Sequence, residues 1–72
     1  MTPEGRAYLK AGRASARASK ARADLPAGSS RARITTANAR WKSAAEERDR
    51  LEAYVKPEEL KEIRQRIAKE EA

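Results

Sequence analysis

The sequence predicts an all-α chain, an antiparallel hairpin of two longer helices over 3–23 and 31–55 with a short third helix over 57–69. Three observations predict it. Sixteen alanines among 72 residues, with many Arg, Glu and Lys, favour helix almost everywhere. Small and apolar residues recur at steps of three and four rather than two. Prolines stand only at positions 3, 26 and 57, each where a helix would begin or end.

The first helix opens on Thr2-Pro3-Glu4: a hydroxyl to cap, a proline tolerated in the first turn, and a carboxylate facing the positive helix end. It stops at Asp24-Leu25-Pro26-Ala27-Gly28, because Pro26 disfavours helix in the residue before it and Gly28 enters turn conformations cheaply. Ser29 or Ser30 caps the second helix. Lys56-Pro57-Glu58-Glu59 is a further start, with proline at the first helical position and two acids in the first turn. The whole is one small helical domain, 1–72.

Coiled-coil-like spacing indicates the faces that meet. Ala7, Ala11, Ala14, Ala18, Ala21 and Leu25 form a narrow seam on the first helix. Ile34, Ala37, Trp41, Ala44, Arg48, Leu51 and Val55 form the matching seam on the second, with Arg48 the one charged intruder. A second small-residue row, Gly5, Leu9, Gly12, Ala16, Ser19 and Ala23, runs along another side of the first helix. Either the first helix is clasped between two others or these residues are helix-compatible filler. Gly12 favours the clasp, since glycine weakens a helix by about 1 kcal/mol relative to alanine and close backbone approach is its usual return. Leu60, Ile63 and Ile67 make a small stripe on the third helix, which folds back or dimerises.

The core must be thin. Only eight residues are Leu, Ile or Val and none is Phe, so the chain is expected to self-associate or to order on a partner. A homodimer through Arg48, Leu51, Val55, Leu60, Ile63 and Ile67 is the expected form, with Arg48 meeting an acid of the second chain to set the register. Glu46 with Arg50, Arg48 with Glu52, Glu62 with Arg66 and Arg66 with Glu70 are four apart and support helix rather than chemistry.

Charge is distributed unevenly. Residues 1–42 hold ten Lys and Arg against two acids, a net +8, whereas 43–72 hold seven against nine, a net −2. A GC-rich genome enriches alanine and arginine whatever a protein does, but it does not gather the acids at one end. Arg6, Lys10, Arg13, Arg17 and Lys20 follow one another at four and three, stacking five cations in a row on one side of the first helix. Such a row repels itself unless an anion neutralises it. At the α-helical rise it spans about 21 Å, enough to meet several phosphates. Arg22, Arg31, Arg33, Arg40 and Lys42 extend the basic region.

On the second helix Arg31, Thr35, Asn38 and Lys42 share a face just after the helix start, and Arg, Asn and Thr are residue types that read base edges. The segment around Asp24 to Ser30 would then act as a helix-turn-helix variant, with a loop longer than the usual turn of about three to four residues. Trp41 lies between Arg40 and Lys42 and so has the setting of a base-stacking residue, but its place on the seam predicts packing instead. Tyr8 and Tyr54 are isolated. Three aromatic residues are too few for an RNA-recognition platform.

Other chemistries find no support. Without cysteine or histidine there are no disulfides, thiolates, imidazole bases or ordinary zinc clusters, and no metal or other cofactor is expected. No glycine-rich phosphate loop occurs and no carboxylate lies in an apolar run, so an enzyme is not expected. The opening residues lead into no apolar stretch, predicting neither a secretory signal nor a membrane span, and no small-molecule substrate is implied. The expected partner is therefore DNA, then RNA. The expected role is a small basic accessory or regulatory factor of transcription, cytoplasmic and nucleoid-associated when DNA-bound. The alternatives are an antitoxin-like or adaptor helix pair whose basic surface meets an acidic protein, and a ribosome- or RNA-associated helical protein.

Overall fold

Three helices account for nearly all of the chain: α1 (Pro3–Ala23), α2 (Arg31–Glu52) and α3 (Pro57–Glu71). The computed structural model describes residues 1–71, and of Glu71 the backbone alone. Thr2 caps α1 through its side-chain oxygen, which accepts from the Gly5 N–H at 3.0 Å. Ser30, rather than Ser29, caps α2 by accepting from the Arg33 N–H at 3.2 Å. Ser29 is used inside the turn, where its hydroxyl donates to the Pro26 carbonyl at 2.6 Å. Gly28 takes φ +84°, the left-handed conformation that lets the loop reverse within seven residues.

α2 ends at Glu52 rather than Val55. Tyr54 and Val55 instead make short turn bonds back to Leu51 and Glu52, which lets the chain swing round before Pro57 restarts it. That swing returns α3 across α1. Thr2 meets Glu59 and Arg13 meets Glu70, two contacts with the same separation of 57 positions, so α3 runs parallel to α1 and in step with it. α2 runs antiparallel: Ser15 meets Arg48 and Arg22 meets Trp41, two pairs whose numbers share one sum.

The clasped arrangement is therefore the one adopted, but the face turned to α2 is rotated from the predicted alanine seam, of which Ala11 alone is buried while Ala7 and Ala21 stay exposed. Tyr8, Ala11 and Ser15 are buried along one side, and Gly5 and Gly12 along the next. A β-carbon on Gly5 would overlap the Glu59 carboxylate, and one on Gly12 would stand 2.5 Å from Ile67 Cδ1. The glycines admit α3. Glu59 then spans the start of α1, accepting from the Thr2 N–H and hydroxyl, each at 3.0 Å, which places a carboxylate at the positive helix end.

The core is Tyr8, Leu9, Val55 and Ile63, with Leu51, Leu60 and Ile67 packed against it. Ile63 is wholly buried and Tyr8 nearly so, because Tyr8 leaves α1 between the face turned to α2 and the face turned to α3. Of the residues expected at a dimer interface, Val55 and Ile63 are buried within the single chain, and Leu51, Leu60 and Ile67 are half-buried against them. Arg48 likewise finds its partners at home: Nη1 donates to the buried Ser15 hydroxyl at 3.2 Å, and Nη2 meets Asp49 at 3.1 Å. The stripe on α3 folds back onto α1, where Gly12 leaves room for Ile67.

Among the described residues the bridges formed differ from the expected four-apart pairs, although, behind the Arg13 hydrogen bond, the Arg66 charge also helps to lower the Glu70 carboxyl. Arg50 bridges Glu47 at 2.6 Å, Arg64 bridges Glu52 across helices, and Glu70 is held by Arg13. The first of these holds the Glu47 carboxyl below the usual carboxylate range, through the hydrogen bond from Arg50.

α3 is shorter than the helices it covers and ends beside Arg13, so the outer half of the hairpin, from Ala16 to the loop and back to Trp41, has no third layer. There the seams hold mostly alanine. Ala18, Leu25 and Ala37 are half-buried, while Ala21, Ile34 and Trp41 remain exposed. No helix among the described residues is long and apolar enough to cross a membrane.

Candidate nucleic-acid interface

The buried residues of α1 decide where its cations point. Tyr8, Ala11 and Ser15 turn toward α2. At about 100° per residue the row Arg6, Lys10, Arg13, Arg17 and Lys20 lies about 180° from them, on the outer edge of the molecule. Arg6, Lys10, Arg17 and Lys20 are exposed. Arg13 is half-exposed and engaged: its Nε is 2.7 Å and its Nη2 2.9 Å from the Glu70 carboxylate, a fork-to-fork pair. Among the described residues Arg13 is the one member of the row bridged to a carboxylate.

The pair fixes the end of α3 against α1. Its hydrogen bond is the larger cause, and the Arg13 charge the smaller, of the Glu70 carboxyl lying below the usual carboxylate range. Both side chains are 40% exposed, so solvent and salt weaken the attraction.

The face proposed for base reading is also exposed. Arg31, Thr35, Asn38 and Lys42 lie about 130° around α2 from Ala37, Ala44 and Arg48, which turn toward α1. They project from the opposite edge of the hairpin to the cationic row, so the two sets do not form one surface. Arg33 and Arg40 are on neither edge: they border a groove between the helices lined by Ala18, Ala21, Leu25 and Ala37. Arg22 faces inward over the Trp41 ring, 4.7 Å from its centroid. The twelve cationic and polar candidates thus lie on several sides of the hairpin, and the α1 edge is where the largest number align.

Trp41 holds its place on the seam opposite Arg22, yet 36% of its surface is exposed and it stands outside the core cluster. The sequence predicts packing for it, but besides the Arg22 guanidinium over its ring it shares its cavity with small α1 residues, Ala16, Ser15 and Ser19 among them, too little bulk to enclose an indole. Tyr8, isolated in the sequence, is by contrast a centre of the core. Its adjacency to Leu9, on the side of α1 away from every cation of the row, is the signal that marks it.

Where α3 ends, two open cavities meet. One, of about 750 Å³, runs beside the row and is lined by Arg13, Arg17, Lys20, Ala23 and Glu70. The other, of about 360 Å³, is lined by Trp41, Ser15, Arg48 and Arg64 among others. Ala16, Ser19 and Ile67 border both. No sequence pattern announces this shelf, because it arises from the difference in length between α3 and the helices beneath it. No protein-family model, no curated protein and no solved structure matches the chain.

Proposed function

We propose that this protein binds DNA through the phosphates, using the outer edge of α1 as a rigid cationic rod. The observation that carries it is the exposure of Arg6, Lys10, Arg17 and Lys20 on one side of a continuous helix. Four like charges held in line repel one another, and an anionic polymer relieves that repulsion by replacing its own condensed counterions with them. Among the described residues of the acidic last thirty, Glu70 alone bridges the row, and it reaches Arg13. The role that fits is that of an accessory or regulatory factor whose affinity comes from the backbone and whose base contacts are few.

A mobility-shift titration of the full chain at two salt concentrations, with DNA and with structured RNA, tests it. Binding at low salt that weakens with added salt supports the role. Four neutralised phosphates correspond to a slope of log affinity against log salt of roughly −3.6 on duplex DNA. Absence of binding to either nucleic acid at low salt overturns it, and equal affinity for both reduces it to general polyanion binding.

A further inference from the structure

We propose that Trp41, with Arg22 stacked on it, is a stacking site for an unpaired nucleobase, so that single-stranded nucleic acid is the form this protein holds. This rests on the phosphate-binding role of the α1 edge and names the class of nucleic acid that the edge serves.

Three features of the shelf beyond α3 carry it. The only tryptophan of the chain is not used for the core: it keeps 36% of its surface exposed and forms part of the wall of an open cavity. A guanidinium already sits 4.7 Å from its ring centroid, the arrangement that strengthens stacking by adding a cation to an aromatic pair. The cavity beside it adjoins the one that holds Arg17 and Lys20, and Ala16 and Ser19 line both. A strand crossing α1 just past the end of α3 meets no large side chain there. It lays phosphates on Arg17 and Lys20 and turns a base toward Trp41.

The walls of the inner cavity favour a base over the apolar face of a partner helix. Ser15, Ser19, Arg48, Asp49, Glu52 and Arg64 line it, and its large apolar members besides Trp41 are Tyr8 and Ile67, both already packed in the core region. A flat ring with a polar rim suits that lining, whereas a leucine-type anchor would cover the Arg48–Asp49 and Arg64–Glu52 pairs and return no hydrogen bond for the water it displaced. A duplex keeps its bases stacked inside and offers Trp41 nothing.

Trp41 reports on its own occupancy, being the sole tryptophan. The full chain is titrated at low salt with a twenty-nucleotide oligothymidylate, a twenty-base-pair duplex and inorganic polyphosphate, at matched phosphate concentration. The indole emission should be quenched to saturation by the oligothymidylate and little changed by the other two. Trp41→Leu should weaken oligothymidylate binding by roughly five- to a hundredfold, with polyphosphate affinity and helical content unchanged. Trp41→Phe should retain part of the preference. Equal quenching by all three polymers, or full single-strand affinity in Trp41→Leu, overturns the stacking site while phosphate binding stands. Failure of all three to bind overturns both.

Discussion

Ile67 places its Cδ1 2.5 Å from the point where a β-carbon on Gly12 would stand, so the contact between α1 and α3 depends on the absence of a side chain. Two effects oppose each other at Gly12. Alanine would stiffen α1 by about 1 kcal/mol, and it would push against the far end of a half-buried isoleucine that has room to turn. Gly12→Ala should therefore leave stability within about 1 kcal/mol of the parent. Gly12→Leu has no such escape and should cost about 1–3 kcal/mol by forcing the helices apart. Urea unfolding followed by helical circular dichroism measures both. A leucine variant as stable as the parent would mean that α3 does not pack against α1 at Gly12.

The two ends of the hairpin differ in what they contribute. Ile63 is fully enclosed, whereas Ile34 is 42% exposed near the loop. Ile63→Ala should cost about 2–5 kcal/mol, as large-to-small changes in a packed core do. A core of this size supplies roughly 3–5 kcal/mol in all, so that variant should be largely unfolded at 25 °C. Ile34→Ala should change stability by no more than about 0.5 kcal/mol. Similar losses at both positions would show that the tip is packed against something, in practice another copy.

Helix boundaries, caps and the hairpin were legible because each depends on a few neighbouring residues: Thr2 before Pro3, Ser30 before Arg31, Pro57 before two acids. The clasp of α1 was legible in outline, through Gly12. What sequence spacing does not carry is competition among faces. The stripe Leu60, Ile63 and Ile67 suits a second copy as well as it suits α1, and only the room left by Gly5 and Gly12 decides between them. Trp41 shows the same gap from the other side. Its seven-residue spacing from Ile34 marks a seam, but burial there needs bulk on the opposing helix, and α1 supplies alanine and serine.

Glu70 couples the third helix to the cationic edge and makes it pH-sensitive. Its carboxyl lies below its ordinary value of 4.5 because Arg13 donates to it. A depressed carboxyl stabilises the folded form above its unfolded value, and that contribution is lost as pH falls below 4.5 and through the folded value. Amide protection in α3 near Glu70, measured relative to the unstructured rate at each pH, should accordingly fall in that window, and Glu70→Gln should show the lower protection already at neutral pH. The same variant releases Arg13 to join the row. Its affinity for duplex DNA should rise, with a salt slope steeper by about 0.9. Unchanged protection across the window would mean that the pair does not hold α3.

Which edge meets the nucleic acid is decided by comparing substitutions on opposite sides of the hairpin. Lys10 and Arg17 stand exposed in the row, clear of the core and of the Arg13–Glu70 pair. Changing both to Glu replaces two attractions with two repulsions and should abolish binding at moderate salt. Helical content should persist, because both side chains project into solvent and neither supports a neighbour. Asn38 lies on the far edge, exposed, with Thr35 and Arg31. If the α1 edge is the contact surface, Asn38→Ala should leave affinity for any sequence within about twofold, an effect below 0.5 kcal/mol. A selective loss for one DNA sequence in Asn38→Ala, with the Lys10 and Arg17 reversals tolerated, would transfer the interface to α2 and make base reading its purpose.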